Sequence, residues 1–291
     1  MKEYKQQIFR GERALYASNN VRVTDCTFLD GESPLKESHN LELTGDLFRW
    51  RYPLWYCSDV HATDCTFFEG TRAGMWYTDR LTMENGIITS VKNFRRCHDL
   101  TLRNITIPNA VETIWHCDGV KLENVTAKGD YFAMNSENME IDGLQLDGHY
   151  SFDGVKNVTI RNSHLVTKDA FWNSENVTVY DSLVIGDYLG WNAKNLRLVN
   201  CTIVSLQGMC YIENLKLEHC KLLETSLAFE YSTVDADVTS AIDSVLNPIS
   251  GTIKAPRIGE LTIEADRVDP AATTIDCPAI EQKTDRPEWL R

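Results

Sequence analysis

The sequence holds no apolar run long enough to span a bilayer, which excludes a helical membrane span. It has no H-E-x-x-H, G-x-S-x-G or P-loop stretch, so the zinc-peptidase, serine-hydrolase and nucleotide-cradling readings all lack their residues. The stretch MKEYKQQIFRGERALYAS carries charges but no apolar core, and predicts no secretory signal there. Basic residues are scarce: 29 Lys and Arg face 42 Asp and Glu, a net charge of −13. Phosphate backbones are held mainly by Lys and Arg, and no local basic patch appears, so nucleic acid is excluded as a partner. Polyuronates are disfavoured too unless a cation bridges them to the protein. The nine cysteines are odd in number and form no C-x-x-C pair, which predicts a reduced, cytoplasmic protein.

What is present is a repeat. With 291 residues, 43% of them hydrophobic, the chain can build a sizeable core. FWNSENVTV (171–179) returns as GWNAKNLRL (190–198), and the same frame runs through most of the sequence. Anchored on the first aliphatic after the asparagine, the repeats start at Val21, Leu41, Val60, Leu81, Leu100, Val120, Met139, Val158, Val177, Leu196, Leu215 and, more weakly, Val234. Their spacings are 20, 19, 21, 19 and 20, then 19 six times. A period near twenty means a solenoid.

The columns say which one. Anchor and anchor plus two are apolar and the residue between them is polar, so each repeat holds a strand with one buried face. Two further apolar columns, one running from Phe28 and Phe48 to Leu222, the other from Leu15 through Phe94 to Ala228, give three buried strands per turn. Four after the anchor stand Asp25, Gly45, Asp64, Asn85, Asn104, Asn124 and their successors, residues that accept a left-handed backbone. The residue before the anchor is similar, with Arg80 the main exception. A leucine-rich repeat is excluded, because neither its L-x-x-L-x-L pattern nor a helical side is present.

These columns resemble the right-handed parallel β-helix proteins of the pectate-lyase-like superfamily. With the N-terminal stretch FRGERALY (9–16), the chain is most similar to a bacterial β-helix family of unknown function. The expectation is an all-β, right-handed, single-stranded parallel β-helix of about 12 coils of 19–21 residues. Residues 1–13 are expected as an N-terminal cap, 14–232 as regular coils, and 233–291 as irregular final coils and a tail, EQKTDRPEWLR, in one domain. The G-H-G and R-I-K motifs of the polygalacturonase-type relatives are absent, as are the clustered aspartates of the calcium-dependent lyases. No catalytic set carries over.

A site must therefore be argued from geometry. Five before the anchor, in a column expected to face outward, stand Trp55, Trp76, Trp115, Trp172 and Trp191, with Lys36, Arg95 and Asp153 at other coils. Strand spacing of about 4.8 Å predicts that Trp55 stacks on Trp76 and Trp172 on Trp191. The next column supplies Tyr56, Tyr77, His116, Asn135, Asn173 and Asn192, and a nearby stripe holds Tyr131, Tyr150 and Tyr188. A sugar stacked on indole, its hydroxyls held by such neighbours, is one reading. The alternatives are a buried tryptophan ladder or a face covered by the C-terminal segment or a second subunit, and for the three asparagines an internal amide ladder. Asp153 with His116 is the candidate acid–base pair, and Asp169, Asp187 and Glu230 are alternates. His39, His61, His98, His164 and His219 read as solvated surface, and the cysteines as small core residues rather than metal ligands.

Two function classes stay open. One is a carbohydrate-active lyase, glycoside hydrolase or epimerase. The other is a non-catalytic β-helix that binds a glycan, or a scaffold that oligomerises through the aromatic face. No metal or cofactor is expected.

Overall fold

A computed structural model describes residues 1–286. They form a parallel β-solenoid with no α-helix among the described residues, only a short 3-10 turn at Glu69–Thr71. None of it is a helix long and apolar enough to cross a membrane. The described residues divide into two compact units, one of residues 1–148 and one beginning at residue 149.

In the first unit one side is built from Lys2–Lys5, Asn19–Thr24, His39–Thr44, Ser58–Thr63, Asp79–Glu84, His98–Arg103, Asp118–Glu123 and Glu137–Asp142. Each pairs in parallel with the next, so that Val21, Leu41, Val60, Leu81, Leu100, Val120 and Met139 align as the repeat frame predicts. A second side consists of shorter strands, Ile8–Phe9, Thr27–Phe28, Leu47–Phe48, Thr66–Phe67 and their successors. Its inward column is a phenylalanine stack, Phe9, Phe28, Phe48 and Phe67, with centroids 4.9, 4.7 and 4.6 Å apart. The third side is mostly turns, with isolated bridges from Trp76 to Arg95 and from Arg95 to Trp115.

The stretch expected as an N-terminal cap is itself a coil, its two strands paired with Asn19–Thr24 and Thr27–Phe28. The repeat frame missed it because Lys2 and Tyr4 stand where later coils carry two aliphatics. In the second unit the coils from Lys156–Arg161 to Leu215–Leu223 keep the frame. Beyond them Thr233 aligns with Ser250, and Gly251 with Thr273, so the last coils vary in length. A further strand, Ile258–Thr262, lies in this region, while the end of the tail falls outside the described residues.

Small polar residues hold the corners. Ser38, Cys57, Thr78, Cys97, Cys117, Ser136 and Ser232 share one column, and each donates to the carbonyl of the inward residue one coil back, at 2.6–3.2 Å. A buried carbonyl without a partner is costly, so this column needs a donor small enough to fit. The three cysteines of this column are therefore structural, and all nine cysteines are unpaired. Burial pushes the Cys57 thiol up to about 12, far from a reactive thiolate.

Outside, side chains form ladders along the coils. Asn85, Asn104 and Asn124 are linked amide to amide, and so are Asn157, Asn176, Asn195 and Asn214. Both columns have left-handed backbone, for example Asn104 at φ 52° and Asn176 at φ 56°.

Candidate functional site

The tryptophans have a job in the architecture. Eight residues before each anchor lies a further left-handed corner, occupied by Ala73, Lys92, Tyr131, Tyr188 and Gln207 among others. The indole of the preceding coil caps the carbonyl of that corner: Trp55 donates to Ala73, Trp76 to Lys92, Trp115 to Tyr131, Trp172 to Tyr188 and Trp191 to Gln207, at 2.5–2.9 Å. All five are half-buried. The expected pairs stack, Trp55 on Trp76 at 5.2 Å and Trp172 on Trp191 at 5.6 Å, with ring planes 7° apart in both.

Arg95 completes the run in the first unit. Its guanidinium lies 4.6 Å from the Trp76 ring and 4.5 Å from the Trp115 ring, and is held by Glu112 at 3.1 Å. Sandwiched this way it replaces an indole in the ladder through cation–π contact. Arg95 is thus a rung rather than a solvated charge. The ring faces between rungs are covered by one another, so the face presents edges to solvent.

Four before each anchor the backbone is left-handed again. Tyr56, Tyr77, Arg96 and His116 occupy it in four consecutive coils, at φ 55°, 56°, 52° and 51°. Bulky residues are rare in this conformation, which costs roughly 1–2 kcal/mol per residue outside Gly, Asn and Asp. Tyr56 and Tyr77 stack at 4.8 Å with planes 2° apart, and Lys36 sits 5.6 Å from the Tyr56 ring. Tyr56, Tyr77, Asp79, Arg96, His98 and His116 together line an open hollow of about 630 Å³. Asp79 and His98 pair across it at 2.9 Å. The two phenol hydroxyls, the Arg96 guanidinium and the His116 imidazole make no side-chain hydrogen bond or ion pair within the described residues.

The structure thus gathers Tyr56, Tyr77 and His116 and adds Arg96, Asp79 and His98, which the sequence reading left aside. The missed signal was the column itself: the corner carries large residues here, so it does not read as a corner. Asn135 is exposed at the same corner position in the first unit. Asn173 and Asn192 are exposed at that position in the second, and the amide ladder expected of the three is not formed. Asn173 donates instead to Asp153 at 2.9 Å. His116 and Asp153 belong to different units.

The alternates are separately placed. Asp169 is buried, and burial raises its carboxyl above the usual range, partly offset by Lys168 and His149. Asp187 accepts the Leu206 amide at 3.3 Å. Glu230 is half-buried and raised by burial, while the Tyr211 hydroxyl 3.4 Å away pulls it back. No group of three or more His, Cys, Asp or Glu among the described residues is placed to hold a metal ion.

Residues 2–276 match the model of the family described as "Protein of unknown function (DUF3737)". The chain belongs to this family. No curated protein matches it. Among solved structures, a mutant tailspike protein of E. coli bacteriophage HK620 in complex with pentasaccharide is similar at 8% identity, covering 96% of this chain and 70% of that one, with a TM-score of 0.36. The A-module of an Azotobacter vinelandii mannuronan C-5 epimerase shows 11% identity over 98% of this chain and 87% of its own, TM-score 0.26. A Streptococcus pneumoniae surface adhesin shows 8% identity over 98% and 75%, TM-score 0.25.

Proposed function

We propose that this DUF3737 chain is a carbohydrate-binding β-solenoid whose first unit holds an extended oligosaccharide along the stripe Tyr56, Tyr77, Arg96 and His116. The observation that carries this reading is that four consecutive left-handed corners bear large polar groups whose hydroxyl, guanidinium and imidazole tips have no hydrogen-bond or ion-pair partner among the described residues. Left-handed backbone recurs throughout the coils, and these four positions stand apart because their polar tips face an open hollow unengaged among the described residues. Asn would fit the same backbone at lower cost.

The spacing supports a sugar. Polar tips recur every coil, about 4.8 Å apart, which is close to the length of one pyranose in an extended chain. An extended peptide repeats its side chains on one face every ~6.6 Å and falls out of step. Nucleic acid is disfavoured by the net charge of −13. Because the Tyr56 and Tyr77 rings cover each other, the contact rests on hydrogen bonds from hydroxyl, guanidinium and imidazole rather than on a sugar stacked on a ring face. Binding without chemistry fits the hollow, since Asp79, its one carboxylate, is already engaged by His98.

Calorimetric titration with a panel of neutral and acidic oligosaccharides tests the proposal. Binding by one class, weakened at least tenfold in Tyr77→Asn with the fold retained, supports it. Failure to bind any member refutes it, and release of shortened or unsaturated products from a bound member would replace binding with catalysis.

A further inference from the structure

The second unit carries an apolar stripe with no partner among the described residues. Val166, Ile185, Val204 and Leu223 align rung to rung on the outer surface of the second side, in parallel register. Val166 and Leu223 are 46% and 45% exposed, and Leu206 beside them is 42% exposed. The equivalent column of the first unit is broken by charge: the Arg49 guanidinium lies 4.2 Å from the Phe68 ring, and Lys128 pairs with Asp147 at 2.8 Å. β-Branched and leucine side chains on a regular sheet face are what sheet-on-sheet packing buries, with the sheets about 10 Å apart.

Charge at the two ends of the stripe identifies the occupant. Lys168 stands beside Val166 and Glu224 follows Leu223; both are exposed, and neither forms an ion pair among the described residues. Lys168 rests its ammonium 5.1 Å from the Tyr188 ring, a contact that leaves it free to take a carboxylate. We infer that the stripe joins two copies of this chain face to face, about a two-fold axis that lies along the strands.

That axis sets Val166 against Leu223 of the second copy and Ile185 against its Val204. It also brings Lys168 to Glu224 of the second copy, twice by symmetry. A two-fold axis along the stacking direction would instead set Val166 on Val166 and Leu223 on Leu223 of the second copy, and would keep Lys168 and Glu224, at opposite ends of the stripe, from meeting. The stripe shares no residue with the first-unit corner, so the dimer stands independently of the sugar reading.

Sedimentation equilibrium of the full chain tests the inference, with far-UV circular dichroism as the check on folding. The wild type should sediment as a dimer, and Ile185→Lys as a folded monomer. Lys168→Glu should weaken the dimer about tenfold, and Lys168→Glu combined with Glu224→Lys should restore it. A wild type that stays monomeric at all concentrations overturns the inference. So does a double charge reversal no tighter than the single one, because the pairing across the axis is then absent.

Discussion

The same corner is built in two ways. In the first unit Tyr56, Tyr77, Arg96 and His116 take the left-handed conformation; in the second, Gly154, Asn173 and Asn192 take it at φ 69°, 54° and 57°. The backbone requirement is identical, and the second unit meets it with the residues that tolerate it best. Tyr211 is the bulky member there, and its hydroxyl is engaged by Glu230. Bulk whose polar tip is engaged is architecture, whereas polar tips with no hydrogen-bond partner among the described residues, in four successive coils, are what the sugar-binding proposal rests on. The tryptophans teach the opposite lesson, since both units use them in the same way.

The largest expected effect concerns that shared use. Trp76→Ala in the first unit and Trp172→Ala in the second should each lower stability by about 3 kcal/mol, read as a shift in urea midpoint. Each removes a stacked ring and uncaps a carbonyl. Equal losses in the two units would confirm that the column is structural; an unchanged midpoint would return it to the ligand. Exchanging corner chemistry comes next. Asn192→Arg should cost about 1 kcal/mol, and Arg96→Asn should gain up to about 1 kcal/mol while weakening sugar binding about tenfold.

The smallest effect separates the units by pH. Asp46 is buried in the first unit, where its carboxyl accepts the amides of Cys26 and Thr44 at 2.8 and 3.2 Å. Burial raises it to about 7. Ser182 performs the same service for Ser163 in the second unit with a neutral hydroxyl. A folded-state value above the unfolded one means that the stabilising contribution is present below the ordinary carboxylate range and is lost as pH rises through about 7. Asp46→Ser should flatten the pH dependence of the urea midpoint across that window. An unchanged slope would show that Asp46 is ionised throughout.

The fold was legible because its signal repeats. Asn and Asp at two corners, paired aliphatics on the long strand and a phenylalanine column each recur often enough that one exception, such as Arg80, does no harm. Arg80 itself sits at φ 52° and is tied to Asp59 by two bonds of 2.6 and 2.9 Å, so its cost is offset. The first coil was hidden because Lys2 occupies an anchor. The remaining left-handed columns were hidden because residues such as Tyr52, Lys92, Glu112, Tyr56, Arg96 and Phe94 share no side-chain property that names a left-handed residue. The site was half legible for the same reason. Its aromatics stood out, but what distinguishes Tyr56 and Tyr77 from Trp55 and Trp76 is hydrogen bonding: the indoles are satisfied and the phenols are not. That difference depends on where the next coil turns its carbonyl, which no single column records.

The central claim is that the first-unit corner stripe binds sugar at the expense of stability. Its most direct test replaces Tyr56, Tyr77, Arg96 and His116 together by Asn and titrates wild type and variant with the tightest oligosaccharide of the panel. A variant that unfolds no more easily in urea than the wild type, yet has lost binding, is the predicted result. A variant that binds as tightly as the wild type would contradict the account.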